Sequence, residues 1–191
     1  MIISFIAKKT IEHLQLTFLS VIISMLLAVP LGIFFARSKR KKMASLFIKL
    51  AYLLQSIPPL ALMALIIVLL IFANATLKIP ITGVFSGIFV LVIYAFLILL
   101  DSSFNAYLLE EQKISTSLLF KGVKKAVVST IGMATLVSLI GSGGLGDLIM
   151  EGLKDLNITL ILSGALPAAF LGISSDLLIG LIINKLDRSS Y

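Results

Sequence analysis

Few side chains in this 191-residue sequence have the type and spacing to do chemistry, and most of them stand in or beside apolar runs. Asp176 lies within G-I-S-S-D-L-L-I-G, inside an apolar stretch. A carboxylate there is costly, so it needs either a transport role, as a pathway contact or gate, or a partner on a neighbouring helix. Gln55 and Ser56 precede Pro58 and Pro59. Two prolines remove amide donors and break a helix, so the polar pair either lines a cavity or caps the break. Glu110 and Glu111 are adjacent carboxylates, a combination used in general acid–base work. In a charged loop they form a solvated or partner-facing surface instead. His13 is the single histidine and reads as an ordinary interfacial side chain. Gly141-Ser142-Gly143-Gly144-Leu145-Gly146 satisfies the spacing G-x-G-x-x-G. That fingerprint works only after a strand of a parallel sheet, and an apolar helix precedes it here. No glycine–lysine–serine or –threonine sequence follows to cradle a phosphate, so the chain hydrolyses no nucleotide itself. With no cysteine and no serine, histidine and acid set, neither metal site nor cofactor nor catalytic nucleophile is expected.

The elements that position these residues are membrane helices. The chain is 59% hydrophobic and 13% charged, with a mean hydropathy of +1.15. Its apolar residues fall in runs of about 15 to 25, the length that crosses a bilayer. The sequence predicts an all-α integral membrane protein with about five spans and a single domain over residues 1–191, leaving no room for a soluble domain. The spans are expected near 14–35, 60–72, 83–100, 126–140 and 158–183. Residues 43–72 read as one bent span or as a short helix followed by a span. Lys8 and Lys9 precede an apolar run too long for a signal peptide, so the first run reads as a permanent span. The net charge is +7, but much of it sits in Arg37, Lys39, Arg40, Lys41 and Lys42 at the end of that span. Such a cluster signals topology rather than nucleic acid, and it predicts an outside N-terminus and a cytoplasmic C-terminus. Residues 101–125 are then cytoplasmic, and residues 141–157 form a glycine-dense, acidic connector outside.

Three spans carry small residues at every fourth position, which share one helix face. They are Ser20, Ser24, Ala28, Gly32 and Ala36; then Gly122, Ala126, Thr130, Ala134 and Ser138; then Gly164, Ala168, Gly172 and Gly180, with Asp176 in the last row. Such faces let helices approach closely in lipid, where association depends on fit.

Several segments together carry a resemblance. His13-Leu14-Gln15-Leu16-Thr17 with Val29-Pro30-Leu31-Gly32 and Arg37, and then Gln55-Ser56-Ile57-Pro58-Pro59-Leu60-Ala61-Leu62, are two of them. Ile131-Gly132-Met133-Ala134-Thr135-Leu136, Ile140 to Gly146, and Gly164-Ala165-Leu166-Pro167-Ala168-Ala169 with Asp176 complete the set. In register, they resemble the permease subunits of bacterial ATP-binding-cassette importers for osmoprotectants such as glycine betaine, carnitine and choline. The resemblance implies a type I importer permease in the bacterial plasma (inner) membrane. It implies partners as well: an ABC ATPase subunit, an extracytoplasmic substrate-binding protein and a second permease copy or paralogue.

In that family a cytoplasmic helix with a Glu-Ala-Ala start and a following glycine couples to the ATPase. The matching stretch here is Leu109, Glu110, Glu111 and Gln112, which keeps a glutamate and lacks the alanines. The interval 101–131 is shorter than the family's, so the coupling region at about 101–125 is shortened. The resemblance therefore implies an importer subunit for a quaternary amine or related zwitterion. A methionine-type amino-acid permease and a divergent, non-transporting subunit are the alternatives.

Overall fold

The structure, a computed structural model, describes residues 2–39, 41–78, 80–108 and 114–189. Among these, seven α-helices follow one another: α1 (Ile2–Arg37), α2 (Lys41–Gln55), α3 (Pro59–Leu77), α4 (Gly83–Leu108), α5 (Thr116–Leu136), α6 (Leu145–Lys154) and α7 (Ile158–Ser189). A 3₁₀ turn, Val137–Ile140, joins α5 to α6. α1, α3, α4, α5 and α7 are long and apolar enough to cross a membrane, giving the five spans expected from hydropathy.

The bundle is built around α4, which packs against α1 on one side and α5 on the other. Small residues make this possible. Ser20, Ser24 and Ala28 of α1 are fully buried. A methyl group at Gly32 would stand 2.7 Å from the Ser103 hydroxyl and 2.9 Å from the Leu100 carbonyl oxygen of α4. The Ser24 hydroxyl lies 2.7 Å from the Ser20 carbonyl and 2.8 Å from the Val92 carbonyl across the interface. The matching face of α5, Gly122, Ala126, Thr130 and Ala134, is also buried. On α7 the row divides: Gly164 and Ala168 pack against α6, whereas a methyl added at Gly172 would meet open space. α7 and α3 leave most of their apolar surface uncovered within the protomer, as helices bordering lipid do.

The proline break yields two helices rather than one bent span. α2 ends at Gln55, and the amides of Ser56 and Ile57 close a last turn on Leu53 and Leu54. Pro58 is extended, at ψ 137°, and Pro59 opens α3 where its missing amide costs no hydrogen bond. The interval 101–125 is mostly helical. α4 runs on because its polar residues bond within their own helix: Ser102 Oγ donates to the Ile98 carbonyl at 2.8 Å and Asn105 Nδ2 to Asp101 Oδ1 at 3.0 Å. α5 begins early, where the Ser115 hydroxyl accepts the Leu118 amide at 3.4 Å. The link between α4 and α5 is the seven residues 109–115. Leu109, Glu110, Glu111 and Gln112 lie outside the described residues.

Candidate functional site: the glycine connector and its charged cavity

The connector expected as a loop holds a helix. After the 3₁₀ turn, Gly141, Gly143 and Gly144 take φ values of 77°, 88° and 85°, a region that other residues enter only with strain. They reverse the chain so that α6 can start at Leu145 and bury Leu145, Gly146, Leu148 and Gly152. Gly146 is close-packed for a different reason: a methyl there would run into the Thr135 carbonyl and the Ser138 hydroxyl.

α1 holds the connector from the other side. Glu12 Oε2 accepts the Gly144 amide at 3.3 Å and the Lys9 ammonium at 2.9 Å. Lys9 also donates to Asp147 Oδ2, in the first turn of α6, at 2.7 Å. One cation is thus shared by two carboxylates, with all three side chains less than a third exposed. His13 corrects the interfacial expectation. It is fully buried, and its Nε2 sits 3.1 Å from the Ile131 carbonyl of α5. A carbonyl only accepts, so Nε2 carries the proton and donates. A methyl at Gly144 would lie 3.2 Å from His13 Nδ1, so glycine and imidazole share one tight contact.

These groups edge a cavity of about 840 Å³ between α1, α4 and the connector. Lys9, Glu12 and Asp147 give it a charged rim, and Phe18, Ile22 and Ile88 an apolar wall. The rim carries one positive and two negative groups and holds no nucleophile beside a base.

The other expected site residues lie elsewhere. Asp176 is ion-paired: its Oδ1 is 2.9 Å from Lys124 Nζ of α5, and Lys121 with Asp187 forms a second α5–α7 pair at 3.6 Å. It borders a separate cavity of about 560 Å³. Gln55 binds three helices together, donating to the Leu97 carbonyl of α4 at 3.0 Å and accepting from Lys125 of α5 at 3.4 Å. Ser56 is exposed and turns back to the Tyr52 carbonyl at 3.4 Å, while Pro58 fixes the break. The cavity beside the connector and the one beside Asp176 have no lining residue in common. Sequence reasoning missed Lys9 and Glu12 as partners of the connector. Their three-residue spacing marks one helix face, but their partners in the connector, Asp147 for Lys9 and the Gly144 amide for Glu12, are 138 and 132 residues away.

Comparison with known proteins follows the same plan along the whole chain. No family model matches. The sequence is 32% identical to the choline transport system permease protein OpuBB of Bacillus subtilis, over 93% of this chain and 87% of that protein. It is 33% identical to the carnitine transport permease protein OpuCB of Listeria monocytogenes, over 90% and 84%. It is 31% identical to the glycine betaine/carnitine/choline permease OpuCB of Bacillus subtilis, over 93% and 86%. Among solved structures, a chain of the inward-facing MetNI methionine ABC transporter superposes with a TM-score of 0.79. It covers 95% of this chain and 96% of its own, at 16% identity, and so shows the fold alone. Five apolar helices together with these relatives make the chain a multi-pass protein of the bacterial plasma (inner) membrane. On identity sustained over nearly its full length, the chain belongs to the permease subunits of bacterial ATP-binding-cassette importers for osmoprotectants.

Proposed function

We propose that this chain is the membrane-spanning subunit of an ATP-driven, binding-protein-dependent importer of a quaternary amine osmoprotectant or a related zwitterion. The observation that carries this reading is its relatedness to permeases for choline, carnitine and glycine betaine along nearly the whole chain. The chain does no chemistry of its own, and ATP hydrolysis belongs to a partner ABC ATPase. Ligand arrives from an extracytoplasmic binding protein, and a second permease copy or paralogue completes the pathway. Residues 1–191 act as one permease domain, with the N-terminus outside and the C-terminus inside. Basic residues at the α1–α2 turn support that orientation.

In this reading Asp176, Gln55, Ser56 and Pro58 belong to the pathway or its gate. The Asp176–Lys124 pair stands at the edge of a cavity between α5 and α7 and would open or slide as the helices move. The connector glycines Gly141, Gly143, Gly144 and Gly146 form a second movable point, strapped by Lys9 and Glu12. Leu109, Glu110, Glu111 and Gln112 meet the ATPase. A methionine-type permease would share the same fold, and the fold carries no ligand preference. A non-transporting subunit is favoured by one observation, the seven-residue link between α4 and α5, which leaves little chain to seat in an ATPase groove.

Gentle purification of the tagged protein from its native membrane, with mass spectrometry of bound partners and an ATPase assay, tests the reading. Recovery of an ATPase subunit with turnover is expected. Recovery of the permease alone, under conditions that preserve a related intact importer, would favour the non-transporting subunit.

A further inference from the structure

The basic turn after α1 leads into a helix with two distinct surfaces. α2 packs its small and apolar face, Ala44, Ile48 and Ala51, into the bundle beside α4. On its open side Lys42, Ser45 and Lys49 fall at intervals of three and four residues, on one stripe, and line a groove of about 360 Å³. Neither lysine takes part in any of the four ion pairs found among the described residues. Lys49 also lines an adjoining groove with Asp101, which accepts a hydrogen bond from Asn105. Arg37 stands close by in sequence, its guanidinium 5.1 Å over the Tyr107 ring at the end of α4. Arg37 thus sits near the ends of α1 and α4, five residues before Lys42.

The same open side is also apolar, and Leu46 lines the groove beside the lysines. Leu46, Leu50 and Leu53 are 64%, 52% and 63% exposed and succeed one another at helical spacing. Beyond the proline break Leu60, at the start of the span α3, is exposed as well. A cationic groove at the membrane boundary, with an apolar ridge leading toward the bilayer, matches a molecule of two parts. Free phosphate would use only the lysines, and an acidic protein segment would leave the ridge uncovered.

We propose that the Lys42–Ser45–Lys49 groove on α2 holds the headgroup of an anionic phospholipid, whose acyl chains lie along Leu46, Leu50 and Leu53. Lysine at a membrane surface attracts anionic headgroups, and its long stem lets the ammonium reach them from beside an apolar face. The lipid would fix α2 against the bilayer next to the turn that carries the basic cluster.

Native mass spectrometry of the full chain, purified with whatever subunits remain bound, delipidated and titrated with phosphatidylglycerol or phosphatidylcholine, tests this. Wild type is expected to retain phosphatidylglycerol in preference to phosphatidylcholine. Lys42→Gln with Lys49→Gln should weaken retention about 30-fold, roughly fivefold per lysine. The double arginine variant should keep it, and Lys154→Gln should behave as wild type. If the double glutamine variant does not accumulate, the two single variants carry the test at about fivefold each. Unchanged retention in the glutamine variants, equal binding of phosphatidylcholine, or displacement of the lipid by inorganic phosphate would overturn the proposal. So would loss of a co-purified ATPase subunit with phosphatidylglycerol still held, which would give this face to a protein partner.

Discussion

At the residue scale, side chains far apart in sequence hold the connector and α7 in place. Lys9 serves two carboxylates at once, so Lys9→Met leaves both without their cation. The three groups lie between the exposed and buried limits for ion pairs, and the expected loss is about 1–2 kcal/mol. A lowered aggregation midpoint on heating in detergent would register it; an unchanged midpoint would mean that the strap carries no stability. His13→Ala removes a fully buried ring and its hydrogen bond to Ile131, and should cost more, about 2–4 kcal/mol in the same assay. Asp176 separates structural from transport roles. If the Lys124 pair serves structure alone, Asp176→Asn with Lys124→Gln should restore the folding yield and the uptake that Asp176→Asn loses. If Asp176 works in the pathway, the double variant should recover folding yield but not uptake. That Asp176 needs a partner or a role was legible in its apolar surroundings. Which lysine it meets was not, because nothing in the local sequence links residues on α5 and α7.

At the scale of elements, the five spans were legible because bilayer thickness fixes their length and composition. Their ends were not. α4 and α5 extend into polar sequence because serine and asparagine there bond back to their own helix or cap it, so polarity gave no sign of a break. α6 was hidden for the opposite reason. Its glycines and acids resemble a loop, yet Leu145, Leu148 and Gly152 form the buried side of a short helix. The small-residue rows were legible as close-packing faces, but not which part of each row is filled. On α7 this gives a paired prediction. A methyl at Gly164 would stand 2.7 Å from the Leu145 carbonyl oxygen, so Gly164→Ala should destabilise the α6–α7 contact. A methyl at Gly172 meets nothing in the protomer, so Gly172→Ala should leave protomer stability unchanged or raise it by up to about 1 kcal/mol. Heating curves of both variants check this, and cross-linking of Gly172→Ala adds information. Loss of a cross-linked dimer with an intact protomer would put the second permease copy against that row.

At the scale of the whole molecule, the chain leaves apolar helix surface open. Two of its spans, α3 and α7, have little cover within the chain, and the cavities at the connector and at Asp176 are separate. A second copy against α7, if the proposed assembly holds, would supply another wall to the cavity beside Asp176. On the proposed reading ATPase coupling passes through the link between α4 and α5, so transport, rather than partner binding, is the decisive test. The most direct measurement is uptake by the assembled complex in proteoliposomes supplied with its binding protein and internal ATP, using labelled choline, carnitine, glycine betaine and methionine. ATP-dependent, saturable accumulation of at least one quaternary amine, with none of methionine, is the predicted result. Accumulation of none of the four, in vesicles where a related intact importer transports its own substrate, would contradict it.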